Sequence, residues 1–174
     1  MWGPPGARDV PLCAARARAR FGWMQDPFVP PSFEVPTTYA WSGFHLEPLG
    51  EQHNDRDHAA WMSSIDHIRS TPGFSEQEEP DWPVAMTLEA NLEDLVRHAK
   101  DFAQRRGFTY SILDGDDVIG CIYIYPDRRP DHDASVSSWV RESRAELDTE
   151  VREALSTWID EAWPFSNPYY AGRK

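Results

Sequence analysis

The sequence feature that most constrains the fold is a pair of β-rich segments separated by an acidic turn. Residues 108–113 and 118–125 are rich in β-branched and aromatic side chains, and Asp114-Gly115-Asp116-Asp117 lies between them. Two such segments joined by four residues that include Asp-Gly predict a β-hairpin. Because nearly every residue of the second segment is apolar or aromatic, we expect that strand to be central and covered on both faces.

Four residues of this second strand carry further expectations. Gly120 inside the strand predicts a bulge or a close backbone contact. Tyr123 and Tyr125 stand on alternate residues and share one face, where they either line a pocket or fill the core. A thiol in the middle of a central strand, as at Cys121, is expected to be buried and inert.

Three other segments have helical periodicity. Residues 56–69 place Trp61, Ile65 and Ile68 on one face, and a third segment begins at the capping-box sequence Ser143-Arg144-Ala145-Glu146 and ends near residue 163. Residues 88–106 give the strongest signal, with Thr87 and Gly107 as caps and an apolar face made of Leu88, Leu92, Leu95, Val96, Ala99, Phe102 and Ala103.

Strand patterns at residues 44–49 and 134–141 complete the predicted order of elements. The chain then reads strand, two helices, three strands and a helix, followed by a tail long enough for one short strand. This order predicts the α/β (α+β) class: a single domain with a mostly antiparallel sheet and helices packed on it.

Charge divides the chain near residue 42. Residues 1–42 are rich in proline and carry four Arg against three acidic residues, net +1, whereas the remainder has 13 basic and 26 acidic residues, net −13. We therefore predict a Pro-rich N-terminal extension at residues 1–42 and a folded domain at residues 43–174. A net charge of −12 argues against nucleic acid as a partner, because such binding needs Lys and Arg to neutralise phosphates.

Location and metal content follow from smaller signals. Two cysteines are too few for a disulfide framework, and the N-terminus has no apolar export signal, so we expect a cytoplasmic protein. No stretch approaches the roughly 18 apolar residues of a membrane span, so we expect that the protein does not enter membranes. The acidic and histidine-rich segments at residues 53–58, 114–117 and 131–133 lack the spacing of zinc or calcium sites, so no metal is expected.

The order of elements resembles the GNAT superfamily of acyl-CoA-dependent N-acetyltransferases over residues 43–163. The segments that carry the resemblance are Leu46-Glu47-Pro48-Leu49 at the end of the first strand and Asp116-Asp117-Val118-Ile119-Gly120 at the start of the hairpin's second strand. The latter is similar to the pattern of two hydrophobic residues and a glycine with which the family enters its third strand.

The resemblance implies a cofactor site where the family's fourth strand separates from its neighbour. Pantetheine would pair with the free edge of the strand at residues 136–141, which we expect to splay from residues 118–125, and the pyrophosphate would sit on amides at the start of the next helix. The residues implied to bind acetyl-CoA are Ser138, Trp139, Val140, Arg141, Arg144 and Ala145.

Two departures from the family pattern leave alternatives open. The family's glycine-rich pyrophosphate loop corresponds here to residues 141–148, which contain no glycine and include Glu142, Glu146 and Asp148, acids that repel phosphate. An ordinary capped helix explains the same residues. The family also continues with a strand, a helix and two strands where about ten residues follow the last helix here, so a homodimer partner or the extension is expected to complete the sheet.

The function implied by the resemblance is transfer of an acyl group from acetyl-CoA to an amine of a small molecule. The acidic surface would favour a cationic acceptor. The catalytic base is unknown, because its position varies in the family, and Tyr169 and Tyr170 are candidate acids only. The alternatives are a catalytically inactive GNAT-fold binding or regulatory protein, and a protein that binds another chain through its extension.

Overall fold

The computed structural model describes residues 27–75 and 82–172. Its strands are β1 (Tyr39–Trp41), β2 (Phe44–Pro48), β3 (Phe108–Asp114), β4 (Asp117–Tyr125), β5 (Ala134–Val140) and β6 (Pro168–Tyr170). Its α-helices are α1 (Asn54–Met62), α2 (Ile65–Ser70), α3 (Leu88–Ala103) and α4 (Asp148–Ala162), and short 3₁₀ helices span Glu51–His53 and Glu142–Leu147.

One six-stranded sheet in the order β1-β2-β3-β4-β5-β6 forms the centre of the fold. The strands from β1 to β5 pair antiparallel, and β6 is parallel to β5. The predicted class, a single α/β domain with a largely antiparallel sheet and packed helices, is therefore confirmed.

The predicted hairpin is the β3–β4 pair, which closes with Asp114 opposite Asp117. Gly115 has a φ of +59°, a conformation that glycine adopts without steric cost. The register shifts within the pair: Ile112 pairs with Gly120, but the next residue, Leu113, pairs with Val118. Ile119 is therefore an extra residue in β4. The predicted irregularity at Gly120 is thus a β-bulge.

Helices cover both faces of the sheet, which explains the nearly continuous apolar sequence of β4. One face packs on α4 through residues such as Ile122, Val136, Leu155 and Trp158. The other face packs on α1, α2 and α3, and its core includes Trp61, Ile68, Leu95, Cys121 and Trp139. The expectation that the strand is central and covered on both sides is confirmed.

The buried face of α3 differs from the predicted one. Leu95 is buried, but Leu88, Leu92 and Val96 are 37–43% exposed, and the polar Asn91 is only 3% exposed. The helix turns this way because the Asn91 amide accepts a hydrogen bond from Trp61 Nε1 (2.9 Å) and donates to a carboxylate of α1. The amphipathic pattern ranks Asn91 as polar and therefore misplaces the helix face.

Of the two caps predicted for α3, one is confirmed and the other is wrong. Thr87 caps the start, since its Oγ1 accepts a hydrogen bond from the Ala90 amide. The helix ends at Ala103 rather than at Gly107, and Arg105 takes the positive φ of +56°. Gly107 is required for space instead, because a Cβ there would lie 2.2 Å from the Tyr125 ring.

The other two helices also begin or break differently from their predictions. The helix predicted at residues 56–69 is divided into α1 and α2 at Ser63 and Ser64, whose hydroxyls donate to the carbonyls of Ala59 and Ala60. The Ser143–Glu146 capping box does not form, because those residues belong to the 3₁₀ helix and α4 begins only at Asp148.

Residues 27–41 pack against the domain. Strand β1 pairs with β2, Val29 is fully buried in the core, and Tyr110 donates a 2.6 Å hydrogen bond from its hydroxyl to the Pro36 carbonyl. A boundary at residue 42 therefore falls inside the β1–β2 hairpin. Residues 1–26, which make up most of the predicted extension, lie outside the described residues.

None of the helices in the described ranges is both long and apolar enough to cross a membrane.

Candidate functional site

The outer edge of β5 has no strand partner along its second half within the described ranges, and we call this half the open edge, although Ser138, Trp139 and Val140 are only 1–8% exposed. Strand β5 pairs with β4 along its whole length, from Ser135 opposite Tyr125 to Val140 opposite Gly120. The expected splay of residues 136–141 from residues 118–125 is therefore wrong. Pairing with β6 instead stops at Val136 opposite Tyr170, so within the described ranges residues 137–140 have no strand partner on that side.

Alternation along the strand identifies which backbone groups point to the open edge. Val136 accepts a hydrogen bond from Ala171 N on the β6 side (3.0 Å), and Arg141 N donates to Ile119 O on the β4 side (2.7 Å). Because neighbouring residues of an antiparallel strand direct their backbone groups to opposite sides, Ser138 and Val140 direct theirs to the open edge.

The side chains of the three predicted strand residues are buried. Ser138 Oγ lies 3.0 Å from the Tyr170 hydroxyl, and Trp139 donates from Nε1 to the Tyr123 hydroxyl at 3.2 Å. Val140 is 1% exposed. Because all three residues are at most 8% exposed, backbone included, a ligand that pairs with this edge would first have to displace the groups that cover it.

The turn after β5 already uses most of its amides within the protein. Glu142 N donates to Ser64 Oγ at 2.9 Å, and Arg144 N donates to the Arg141 carbonyl at 2.8 Å. Because Arg141 N donates to Ile119 O of β4, the backbone amides of residues 141, 142 and 144 all have partners within the protein. Ala145 lies half-buried in the same 3₁₀ helix. A phosphate at this turn would have to replace at least the Ser64 hydroxyl.

Carboxylates neutralise most of the positive charge near this turn. Arg144 donates to Asp114 Oδ2 at 2.8 Å and lies 3.5 Å from Glu146, and the hydrogen bond to Asp114 raises the pKa of its guanidinium. His67 Nε2 of α2 lies 3.0 Å from Asp148 Oδ2, while burial raises the pKa of Asp148. Arg141 differs, because its buried Nε has no hydrogen-bond partner among the described residues.

A pocket of about 400 Å³ lies on the face of the sheet that α3 covers. It extends from β4 to the segment between α2 and α3, and it is lined by Phe74, Trp82, Met86, Asp94, Arg97, His98 and Tyr123. Both alternatives for Tyr123 apply, because its ring lines the pocket and also packs against the core that contains Trp139. Sequence reasoning missed the other residues, although Asp94, Arg97 and His98 have the spacing of one helix face.

The histidine in this pocket is neutral at physiological pH. Burial lowers the pKa of His98 to about 4, and the neighbouring Arg97 acts in the same direction. Its Nδ1 lies 2.9 Å from the Tyr125 hydroxyl and 3.1 Å from Thr109 Oγ1. A histidine with so low a pKa is a weak base, so His98 contributes a fixed polar group to the pocket lining.

A buried polar network connects the pocket to β5. From Trp139 it passes through the Tyr123 hydroxyl to Cys121, whose thiol donates to Asp57 Oδ1 at 3.4 Å. Asp57 Oδ2 accepts a hydrogen bond from Asn91 Nδ2 at 3.1 Å. Burial raises the pKa of the Cys121 thiol well above its usual value, which agrees with the prediction of an inert thiol.

The histidines and acids of residues 53–58 have structural partners. His53 is fully buried with its Nε2 3.1 Å from Glu47, and His58 Nε2 lies 2.9 Å from the Met86 carbonyl. Within the described residues, no group of three or more His, Cys, Asp or Glu side chains has an arrangement that could hold a metal ion.

Comparison with solved structures finds similar folds among acetyltransferases. A ribosomal-protein-S5-alanine acetyltransferase from Vibrio fischeri matches with a TM-score of 0.53 and 15% identity, over 73% of this chain and 66% of that one. RimL, a ribosomal L7/L12 α-N-protein acetyltransferase in complex with coenzyme A, matches with a TM-score of 0.51 and 11% identity, over 72% and 67%.

A probable GNAT-family acetyltransferase from Chromobacterium violaceum has a TM-score of 0.54 and 13% identity over 79% of this chain and 69% of that one. The chain thus spans about two thirds of the length of these proteins. No protein-family model matches the sequence, and no curated protein matches it.

Proposed function

From the premise that this chain has the GNAT fold, we propose that it transfers an acetyl group from acetyl-CoA to an amine of a small molecule. The observation that carries the proposal is the half of the β5 edge without a strand partner, where Ser138 and Val140 direct backbone groups away from β4. Because these residues are at most 8% exposed and the turn at Gly73 packs against Ser137, a ligand would enter only after that turn moves. A pantetheine amide chain can pair with such an edge in the way that another strand would.

The proposed cofactor site consists of Ser138, Trp139, Val140, Arg141, Arg144 and Ala145. The backbone of the strand residues takes the pantetheine, and the two arginines with the start of the 3₁₀ helix take the pyrophosphate. Arg141 is the stronger candidate, because its buried Nε has no partner among the described residues, whereas Arg144 is held by Asp114. Phosphate is a strong acceptor for an unpaired guanidinium.

The reaction proposed is attack of the neutral amine nitrogen on the thioester carbonyl. A carbon–nitrogen bond forms, the carbon–sulfur bond breaks, the amine loses one proton and the CoA thiolate gains one. Two of the similar proteins are acetyltransferases of ribosomal proteins S5 and L7/L12. For this chain, the pocket of about 400 Å³ supports a small-molecule acceptor, since that is the size range of small-ligand sites.

We place this enzyme in the cytoplasm, on the basis of its cysteine usage. A homodimer is part of the proposal. The apolar stripe of Leu88, Leu92 and Val96 on α3, 37–43% exposed, supports an interface with a second copy.

Acetyl-CoA is expected to raise the melting temperature by about 5–10 °C when it is present at a hundred times its Kd, because a ligand that binds only the folded state then stabilises it by about 2.7 kcal/mol. Differential scanning fluorimetry measures the shift. Arg141→Gln should reduce it, whereas Arg106→Gln, which removes an exposed guanidinium paired with Asp101, should not. No shift with about 1 mM acetyl-CoA would overturn the proposal.

A second candidate function, a binding or regulatory protein that does not use CoA, is favoured by the position of α2. Ser64 Oγ accepts the hydrogen bond of the Glu142 amide, and His67 contacts Asp148 at the start of α4. The turn after α2 is packed so closely that a Cβ on Gly73 would lie 2.8 Å from Ala171 Cβ and 3.0 Å from Ser137 Cβ. These contacts take the place where the proposed cofactor site needs access.

Ser64→Ala distinguishes the two candidates. If the chain binds acetyl-CoA, the variant should bind it about 2–10-fold more tightly, because one neutral hydrogen bond that competes with the phosphate is worth about 0.5–1.5 kcal/mol. Isothermal titration calorimetry gives the Kd. Ser63→Ala is the matched control, since Ser63 Oγ bonds to α1 carbonyls but not to the Glu142 amide. Absence of heat from both variants and from the wild type would favour the CoA-independent function.

A further inference from the structure

The pocket on the α3 side of the sheet has walls of two different kinds. Its inner wall is aromatic: the ring centroids of Phe74, Trp82 and Tyr123 lie 5.7–6.2 Å apart, with interplanar angles of 54–72°. Inclined rings at this spacing form adjoining walls rather than a stack. Met86 adds a flexible thioether to the same lining. This part of the pocket suits an apolar group about the size of one ring.

The outer wall is polar and comes from one flank of α3. Among the described residues of the lining, Asp94 is the only carboxylate, and Arg97 binds it through Nε at 3.2 Å and Nη2 at 2.7 Å. Both of these hydrogen bonds end on Oδ1, so Oδ2 keeps its capacity to accept another. An ammonium group at Oδ2 would complete a three-charge arrangement in which one carboxylate serves two cations.

Nothing else in the lining opposes a cation strongly. His98 is neutral above about pH 5, because burial and Arg97 keep its pKa near 4. The faces of the three aromatic rings attract positive charge through their quadrupoles. The Arg97 guanidinium is 55% exposed and paired, so solvent screens its repulsion.

We propose that this pocket binds the acceptor, and that the acceptor is a primary amine whose apolar body is about the size of one aromatic ring. The body lies among Phe74, Trp82 and Met86, and the ammonium donates to Asp94. That the ligand is an acceptor rests on the proposed acetyltransferase function, whereas its shape and charge follow from the lining. Tyr123 of the lining accepts a hydrogen bond from Trp139 of β5, the strand at whose edge the acetyl group would be presented.

Calorimetric titration with three probes tests the ligand class in the absence of acetyl-CoA. Benzylamine has both ring and charge, benzyl alcohol has the ring alone, and methylamine has the charge alone. Benzylamine is expected to bind about tenfold or more tightly than either, since a hydrogen bond between charged groups and the burial of a ring each contribute about 1.5 kcal/mol or more. Equal affinity for benzylamine and benzyl alcohol would overturn the proposal.

Variants locate the binding within the pocket. Asp94→Asn should remove the preference for benzylamine over benzyl alcohol, while Glu93→Gln, which removes the same charge from the next, exposed residue of α3, should leave it unchanged. Trp82→Ala should weaken both probes about tenfold, with thermal melting as the check that it folds. If Glu93→Gln and Asp94→Asn have equal effects, only the net charge matters and the pocket is not the site.

The same titrations separate this inference from the proposed function. Selective benzylamine binding by a chain that does not bind acetyl-CoA would support the pocket and overturn the transferase. Acetyl-CoA binding without any preference among the three probes would support the cofactor site and overturn the pocket.

Discussion

Gly120→Ala is expected to lower the free energy of unfolding by about 3 kcal/mol, at the upper end of the cost of an overpacked core. A Cβ at this position would lie 2.1 Å from the Trp139 carbonyl oxygen and 3.2 Å from Val140 Cα. Both atoms belong to the backbone of β5, so neither can move aside as the end of a side chain would. The strands would have to separate where Gly120 pairs with Val140.

Chemical denaturation of both variants in urea measures this difference against a matched control. Gly50→Ala introduces the same methyl group, but there the Cβ meets only the flexible side chain of Gln52, and the backbone φ of −157° suits any residue. The control should change the free energy of unfolding by less than about 1 kcal/mol. Equal losses in the two variants would contradict the close β4–β5 approach.

The central hairpin is the part of the fold that the sequence predicts best. Its turn chemistry, its apolar second strand and the glycine at the bulge are all local signals, and each agrees with the paired structure. Local agreement of this kind arises because strand pairing at a short turn depends on residues close in sequence. The same reasoning predicted a strand at residues 134–141, which forms at Ala134–Val140, whereas of the tail it predicted only that one short strand would fit.

The misplaced features depend on contacts between residues far apart in sequence. The buried face of α3 is set by Asn91, which reaches Trp61 and Asp57 of another helix. The open edge of β5 depends on where β6 stops pairing, about 30 residues along the chain. The Ser64 contact with Glu142 N joins residues 78 positions apart. Periodicity and spacing do not report such contacts.

The sequence likewise predicted one part of the candidate site and missed the other. The residues of β5 and the following turn were identified through the family resemblance, and their binding role stays a prediction. The pocket residues were missed, apart from Tyr123, because residues 82–86 have no periodic pattern and because Asp94 and His98 look like ordinary polar positions of a helix. A search for helix flanks that combine acid, base and histidine three and four residues apart would have found part of this lining.

The second large effect concerns the pH dependence of stability. Asp57 is 4% exposed on α1, where it accepts from Asn91 and from the Cys121 thiol, and burial raises the pKa of its carboxyl to about 6. In the unfolded chain the pKa returns to about 3.8. Between these two values the folded protein binds more protons than the unfolded chain, so stability falls as pH rises.

Taken alone, this carboxyl is expected to make the protein about 2.4 kcal/mol less stable at pH 7 than at pH 4, because each unit of pKa shift is worth about 1.4 kcal/mol and a part of the shift acts below pH 4. His98 acts in the opposite direction over the same range, since its lowered pKa makes stability rise with pH. Asp57→Asn should remove only the Asp57 contribution, since an amide does not titrate. In the variant, the new amide replaces a carboxylate that accepts from Asn91 Nδ2, which lowers the free energy of unfolding by the same amount at every pH. The change of stability with pH is therefore the informative quantity, rather than stability at one pH.

Urea denaturation of wild type and variant from pH 4 to pH 7 measures the two slopes. Asp55→Asn is the control, because Asp55 lies exposed in the first turn of the same helix, and its curve should run parallel to the wild type. Parallel curves for Asp57→Asn as well would mean that Asp57 is not the source of the slope. If the Asp57→Asn variant gains about 2.4 kcal/mol relative to the wild type between pH 4 and pH 7, a buried ionised carboxylate is what the protein maintains at neutral pH to hold α1 and α3 against the strands that carry Tyr123 and Trp139.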